Sequence, residues 1–73
     1  MKENMNEIVY EQAKFYKIKL IPVHITLNNG FFYNGIIMDI STDFLIISDE
    51  KIGELPIWFK EIKRIEPRKV REV

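Results

Sequence analysis

The 73-residue sequence contains no cysteine and only one histidine, His24. The absence of cysteine excludes disulfide bonds and thiolate-ligated zinc, and one histidine is too few for a histidine-rich metal site. We therefore expect neither a metal nor another cofactor. A domain of this size buries only about 60% of the surface that its unfolded chain exposes. Oligomerisation is the remaining common way to stabilise so small a fold.

The sequence also lacks net charge and long apolar runs. It carries 11 basic and 11 acidic residues, so no overall field attracts nucleic acid or an anionic membrane. The apolar runs are too short to span a bilayer. The first residues, MKENMNE, are polar with no apolar run behind them, unlike a signal peptide. We expect a cytoplasmic protein that does not act at a membrane.

The charges are nevertheless unevenly distributed along the chain. Residues 60–73 hold six basic and three acidic side chains, whereas residues 21–59 hold one basic and five acidic side chains. The basic segment is either a solvated surface or a contact for a partner. The acidic residues fall mostly at predicted turns, and no nucleophile–base pair or phosphate-binding loop is recognisable. The sequence therefore does not predict an enzyme.

The first segment of the chain has the signals of a helix. Asn4 can act as its N-cap, and Glu7 follows three residues later, at the spacing of a capping box. Side chains then recur at helical spacing and form one mainly apolar stripe: Met5, Ile8, Val9, Gln12, Phe15 and Tyr16. We predict a helix over about residues 4–16. Its stripe packs on the domain itself or, as an alternative, binds a protein partner.

Five short strands are predicted after the extended Ile21-Pro22 step. The segment VHITL alternates as a half-buried strand does, which places His24 on its surface or interface side. FLIIS does not alternate, which favours a strand covered on both faces. Pro56 lacks a donor for the sheet and favours an edge or a bulge. The successive strand segments are VHITL, residues 31–41, FLIIS, LPIWF and KRIE.

Glycines mark the positions where the backbone must turn or bend. The run Asn28 to Gly30, with Asn29 at its centre, predicts a hairpin turn because Asn and Gly tolerate positive φ. Gly53 lies in a later turn, and Gly35 lies inside a strand, where glycine commonly marks a bend or bulge. A small barrel needs such a bend to close.

The connections are too short for crossover helices, so the strands must be antiparallel. The fold class is therefore mainly β. An N-terminal α-helix is followed by a five-stranded, strongly bent antiparallel barrel of the SH3-like type. We predict a single domain over residues 1–73, with the barrel at about residues 22–66 and a basic tail at residues 67–73.

This order of elements, with the segment VHITLNNGFFYNGIIMDISTDFLII, resembles the Sm-like (LSm) family, which includes bacterial Hfq. The residues that match the first Sm motif precede the apolar FLII strand: Leu27, Asn29, Gly30, Tyr33, Gly35 and Ile37. The resemblance covers about residues 23–66. It implies a ring of identical subunits in which the edge strand of one barrel pairs with that of the next. It also implies RNA as the ligand.

The positions that the resemblance assigns to RNA binding depart from the family pattern. The family's Asp before the hydrophobic strand aligns with Ser41, and its base-contacting Asn falls at or near Asp43. A carboxylate repels phosphate and cannot donate the hydrogen bonds of an amide. The basic pair of the second motif corresponds to Lys60-Glu61. Two functions stay open: a ring that binds RNA or single-stranded nucleic acid, and a protein-interaction ring that has lost the RNA pocket.

Aromatic and basic side chains define the candidate nucleic-acid site. Bases could stack on exposed rings among Phe31, Phe32, Tyr33 and Trp58. Phe32 cannot share a face with both of its neighbours, because alternate residues of a strand face opposite ways. The candidate site residues are Tyr33, Ser41, Asp43, Trp58, Lys60, Lys63 and Arg64.

Overall fold

The computed structural model describes residues 5–69, with side chains from residue 7 onward. A helix, α1 (Met5–Lys19), is followed by five strands and by one 3-10 turn (Phe59–Glu61) before the last strand. The strands are β1 (Val23–Leu27), β2 (Phe32–Ile40), β3 (Phe44–Asp49), β4 (Gly53–Trp58) and β5 (Ile62–Pro67). The predicted mainly β architecture is confirmed. The proposed cap Asn4 and residues 70–73 of the predicted tail lie outside the described residues.

The five strands form one antiparallel sheet in the order β4-β3-β2-β1-β5. Three successive hairpins connect β1 to β4, and β5 returns to pair with β1. Within residues 5–69, β4 and β5 are therefore the two edges of the sheet. The edge position predicted for Pro56 is confirmed, since it lies in β4.

The core lies on one face of the curved sheet and is closed by α1. On β1, Val23, Ile25 and Leu27 are buried and alternate with two half-buried residues, as predicted. Burying an aliphatic side chain of this kind contributes about 1.5–3 kcal/mol. The core residues are Val9, Ala13, Val23, Ile25, Leu27, Ile37, Leu45, Ile47, Ile57, Phe59, Ile62 and Ile65.

Helix α1 buries only part of the predicted stripe, Val9 and to a lesser extent Tyr16, and it extends beyond residue 16 to Lys19. Val9 and the fully buried Ala13 face the barrel. The sequence pattern selected the largest apolar side chains, whereas a small residue such as alanine allows the helix to approach the sheet closely. Three members of the predicted stripe are exposed as a result: Ile8, Gln12 and Phe15. Within the described residues, no helix is long and apolar enough to cross a membrane.

The C-terminal end of α1 lacks the glycine that usually marks such an end. The N–H of Leu20 donates to the carbonyl of Lys17 (3.1 Å), and the N–H of Ile21 donates to that of Tyr16 (3.0 Å). This pair of bonds is a Schellman motif. Leu20 takes the left-handed conformation that the motif requires (φ 57°). Because leucine rarely adopts it, no residue type marked the cap itself, and only Pro22 two residues later indicated that the helix had ended.

The first hairpin turn relies on glycine and not on asparagine for its positive φ. Gly30 has φ 96°, and its N–H donates to the carbonyl of Leu27 (3.0 Å). Asn28 and Asn29 do not have positive φ, so of these three residues only Gly30 supplies it, and the predicted hairpin turn is confirmed. Asn28 instead connects the hairpin to the 3-10 turn, because its side-chain amide donates to the carbonyl of Lys60 (3.1 Å).

Gly35 marks a close approach between β2 and β3. It is buried and pairs with Val23 on one side and Asp49 on the other. A Cβ atom at this position would overlap the backbone carbonyl oxygen of Ser48. The register irregularity in β2 lies farther along, between Ile37 and Asp39, so the bulge and the glycine are at separate positions.

Strand β3 is covered more fully on its inner face than on its outer face. Leu45 and Ile47 are buried, whereas Phe44 and Ile46 are half-buried. Both faces are thus at least partly covered in the single chain, consistent with the unbroken apolar run.

The carboxylate of Asp49 organises the β3–β4 turn. Its Oδ1 accepts from the N–H of Asn34 (2.9 Å), and its Oδ2 accepts from the N–H groups of Lys51 (2.9 Å) and Ile52 (3.2 Å). These hydrogen bonds hold the pKa of Asp49 below its ordinary value, and the bond from the N–H of Lys51 has the largest effect. Partial burial opposes the shift. Gly53, with φ 86°, completes the turn.

Replacing Gly35 with alanine should unfold the protein. The added methyl group meets the fixed backbone of β3, so no side-chain rotation relieves the overlap, and we expect a loss of about 3 kcal/mol or more. Gly30→Ala is the matched control, because a Cβ there meets nothing within 4 Å and only its positive φ costs about 1 kcal/mol. Urea denaturation followed by circular dichroism compares them. Equal midpoints for the two variants would contradict the close approach at Gly35.

Asp49→Asn should weaken the fold and reduce its sensitivity to acid. The native pKa of Asp49 is depressed, so its stabilisation is present above the unfolded value of about 3.9 and is lost as the pH falls below it. We expect the variant to lose about 1 kcal/mol at pH 7. Urea midpoints at pH 7 and pH 3 give the stability that each protein loses between these two pH values. This loss of stability should be smaller in the variant. An equal loss of stability on acidification in both proteins would argue against this role for Asp49.

Candidate nucleic-acid interface

An open groove of about 960 Å³ lies between α1 and one end of the barrel. The β2–β3 turn, the end of β4 and the 3-10 turn form its remaining walls. It contains three of the seven candidate residues, Asp43, Trp58 and Lys60. The complete lining is Glu7, Tyr10, Glu11, Thr42, Asp43, Trp58, Phe59 and Lys60.

Backbone hydrogen bonds hold the two turns of the groove together. The N–H of Phe59 donates to the carbonyl of Asp43 (2.9 Å), which connects the 3-10 turn to the β2–β3 turn. The N–H of Ser41 donates to the carbonyl of Phe44 (2.7 Å) and closes the β2–β3 turn itself. Ser41 therefore lies at the base of this turn and is not among the residues that line the groove.

The two consecutive aromatic residues of the groove have different environments. Phe59 is buried in the core and contacts Tyr10 edge to face, with ring centroids 5.4 Å apart. Trp58 packs against Phe44 in the same manner at 5.2 Å, and 45% of its surface stays exposed. Trp58 is thus the ring of this pair that a ligand can reach.

The groove is predominantly acidic. Glu7, Glu11 and Asp43 contribute carboxylates, and Lys60 contributes the single ammonium group among the lining residues. On the helix beside the groove, the ammonium of Lys14 lies 3.8 Å from Oε1 of Glu11 and 5.4 Å from the ring centroid of Tyr10. Sequence reasoning missed the two glutamates, because it assigned Glu7 only to helix capping and nothing placed the helix beside Asp43.

The other candidate residues lie elsewhere on the molecule. Tyr33 is half-buried on β2 opposite Ile25 and packs against the core. Lys63 and Arg64 are exposed on β5, and Nε of Arg64 lies 3.1 Å from a carboxylate oxygen of Glu66. The structure does not bring these three residues into the groove.

A second aromatic position lies on the outer face of the sheet. Phe31 and Phe32 are exposed, and the ring of Phe32 lies 5.0 Å from that of His24. His24 is half-buried, and its Nδ1 lies 2.6 Å from the side-chain oxygen of Asn34. Over residues 5–69, no three histidine, aspartate or glutamate side chains cluster closely enough to hold a metal ion.

Comparison by sequence yields no matching family model and no significantly similar curated protein, whereas comparison of structures does yield matches. The pleiotropic translational regulator Hfq, solved at 1.55 Å, aligns with a TM-score of 0.69 at 16% identity, over 85% of this chain and 97% of that chain. An Hfq protein from Anabaena sp. aligns with a TM-score of 0.68 at 22% identity, over 89% of this chain and 100% of that chain.

A third similar structure is XC5848 from Xanthomonas campestris, described as adopting a novel variant of the Sm-like motif. It aligns with a TM-score of 0.69 at 17% identity, over 94% of this chain and 91% of that chain. At sequence identities of 16–22%, the similarity to these three structures establishes the fold alone. The chain therefore has an Sm-like fold of the kind found in Hfq.

Proposed function

We propose that this chain assembles into a ring of identical subunits and binds RNA or another single-stranded nucleic acid, as a binding protein and not an enzyme. The observation that carries the proposal is the pair of open sheet edges in a fold shared with Hfq, a translational regulator. An RNA ligand also agrees with the cytoplasmic location expected from the sequence.

The two edges support assembly because they are matched and unpaired within the described chain. β4 and β5 are each six residues long, and each presents a row of backbone donors and acceptors that favours pairing with another strand. Pairing β4 of one subunit with β5 of the next is a head-to-tail contact. Such contacts generate a closed ring when the rotation between subunits closes.

Basic side chains near the β5 edge support the nucleic-acid ligand. Lys60 in the 3-10 turn and Lys63 and Arg64 on β5 are all exposed, and cations of this kind contact phosphates without regard to base sequence. Repetition in a ring would multiply these contacts, so a chain without net charge could still bind a strand. Trp58 offers a ring on which a base could stack.

The second candidate function is a protein-interaction ring. The observation that favours it is the charge of the groove, where three carboxylates face one ammonium group. Phosphate is repelled by such a surface. Helix α1 also exposes the apolar side chains Ile8, Phe15 and Ile18, which allows a protein contact through this helix.

Lys63→Pro should prevent ring closure while leaving the barrel folded. Lys63 is the extra residue where the register shifts, because Thr26 pairs with Arg64 and Leu27 with Ile62, so no residue of β1 lies directly opposite it. Proline removes one N–H from β5, and the preceding Ile62 already has the extended backbone that proline requires (φ −88°, ψ 126°). Native mass spectrometry should show a discrete oligomer for the wild type and for Lys63→Ala, and smaller species for Lys63→Pro. A full-size oligomer in Lys63→Pro would refute pairing through this part of β5.

Lys60→Ala combined with Arg64→Ala should weaken binding to oligouridine and flatten its salt dependence. The loss of two phosphate contacts per site lowers the slope of log K against log salt by roughly 1.4 for a single strand. Lys19→Ala combined with Lys51→Ala removes the same charge at other exposed positions and should leave the slope nearly unchanged. Fluorescence anisotropy at several salt concentrations gives both slopes. Equal slopes in the two double variants would show that the site is elsewhere.

A further inference from the structure

We propose that the groove between α1 and the barrel binds an arginine- or lysine-containing peptide of a protein partner, and not nucleic acid. This inference rests on the second proposed function, the protein-interaction ring, and gives it a surface and a partner chemistry. It assigns Trp58 and Lys60 to the peptide groove and leaves the β5 edge, with Lys63 and Arg64, free for assembly and for contacts with phosphate.

The aromatic walls of the groove suit a cation. Tyr10 on α1 is half-buried and Trp58 at the end of β4 is partly exposed, so both rings are accessible while Phe59 is buried beneath them. The face of an aromatic ring carries negative electrostatic potential and attracts ammonium and guanidinium groups, tryptophan most strongly.

The carboxylates of the groove determine the sign of its ligand. Glu7 and Glu11 are four residues apart on α1 and therefore share one face of the helix, and Asp43 contributes a third carboxylate from the β2–β3 turn. Lys60, and Lys14 where it contacts Glu11, offset two of these three charges and leave the surface net negative. A cationic ligand complements that charge, whereas each phosphate of a nucleic acid adds to the repulsion.

The chain itself already holds one cation in this environment. The ammonium of Lys14 contacts the carboxylate of Glu11 at 3.8 Å and the ring of Tyr10 at 5.4 Å from its centroid. Both charged side chains stay exposed, at 47% and 70%, so an incoming side chain can reach the same carboxylate. Arginine suits the site better than lysine, since its planar guanidinium stacks on rings and is more weakly hydrated.

The groove is far larger than a single ion requires and has room for a short segment of chain. Its volume of about 960 Å³ is near the upper end of the range for small-molecule sites, about 300–1,000 Å³. An extended peptide with two basic residues would reach the helix carboxylates and Asp43 together.

The sole tryptophan of the protein lines this groove, so intrinsic fluorescence reports on it directly. The probe is a short glycine-serine peptide with two arginines, and its counterpart carries citrulline, which keeps the shape and removes the charge. Titration with the arginine peptide should change the emission of Trp58 and saturate. The citrulline peptide should bind at least tenfold more weakly.

Three variants of the full chain test the assignment of the charges. Glu7→Gln with Glu11→Gln should weaken binding of the arginine peptide about tenfold, since two partly exposed ion pairs together contribute about 1.4 kcal/mol. Asp39→Asn with Glu54→Gln removes the same charge outside the groove and should change the affinity less than twofold. Lys60→Ala should strengthen binding of the peptide. Circular dichroism verifies that each variant is folded.

The opposite pattern would overturn the proposal. Equal binding of the citrulline peptide, or no effect of the two glutamate substitutions, would show that the groove does not recognise cations. Saturable quenching of Trp58 by oligouridine that Lys60→Ala weakens would make the groove a nucleic-acid site. Native mass spectrometry of the same samples tests ring assembly separately from peptide binding. An intact oligomer that does not respond to the peptide contradicts only the assignment of the groove.

Discussion

The close approach of β2 and β3 at Gly35 is the constraint on which the rest of the barrel depends. Because no Cβ separates the two backbones, the N–H of the preceding Asn34 reaches the carboxylate of Asp49, and its carbonyl accepts from Glu50. These bonds fix the turn into β4 and therefore the register that places Trp58 opposite Phe44. The position of Trp58 in the groove thus depends on a glycine of β2 that lies beside the β3–β4 turn, at the opposite end of that hairpin.

Two of the positions that the Sm-like resemblance assigned to RNA binding, Asp43 and Lys60, lie in the groove. Asp43 contributes a carboxylate there, and α1 adds Glu7 and Glu11 beside it. Lys60 is the single ammonium group among the lining residues. Three elements that are distant in sequence therefore converge on a surface with negative charge and accessible rings. A combination of this kind suits a cationic partner better than a phosphate chain.

The fold could be predicted from the sequence because its signals are local. Alternation in VHITL, the turn glycines and the short connections define five antiparallel strands, and Gly35 occupies the strand position where the backbones approach. The buried face of α1 could not be predicted, because the fully buried Ala13 carries little weight in a pattern of large apolar side chains. The same applies to Leu20, whose left-handed backbone ends the helix without a glycine signal.

The candidate site was predicted less completely because it depends on contacts between distant segments. Asp43, Trp58 and Lys60 lie in one groove, but Tyr33 faces the core and Arg64 lies on another surface. Alternation places Tyr33 on the same side of β2 as the buried Ile37, which the sequence could have indicated. Nothing in the sequence indicated that the first turns of α1 would stand beside the β2–β3 turn.

The strand order has a consequence for how the chain folds during synthesis. The hairpins from β1 to β4 join neighbours in sequence and can form as soon as each strand leaves the ribosome. Strand β1, however, waits for β5, since Leu27 pairs with Ile62 across 34 intervening residues. Until β5 emerges, β1 is an open edge with its apolar residues Val23, Ile25 and Leu27 only partly covered. A chain at this stage exposes an unpaired strand edge and apolar surface, the two features that make incompletely folded chains prone to aggregation.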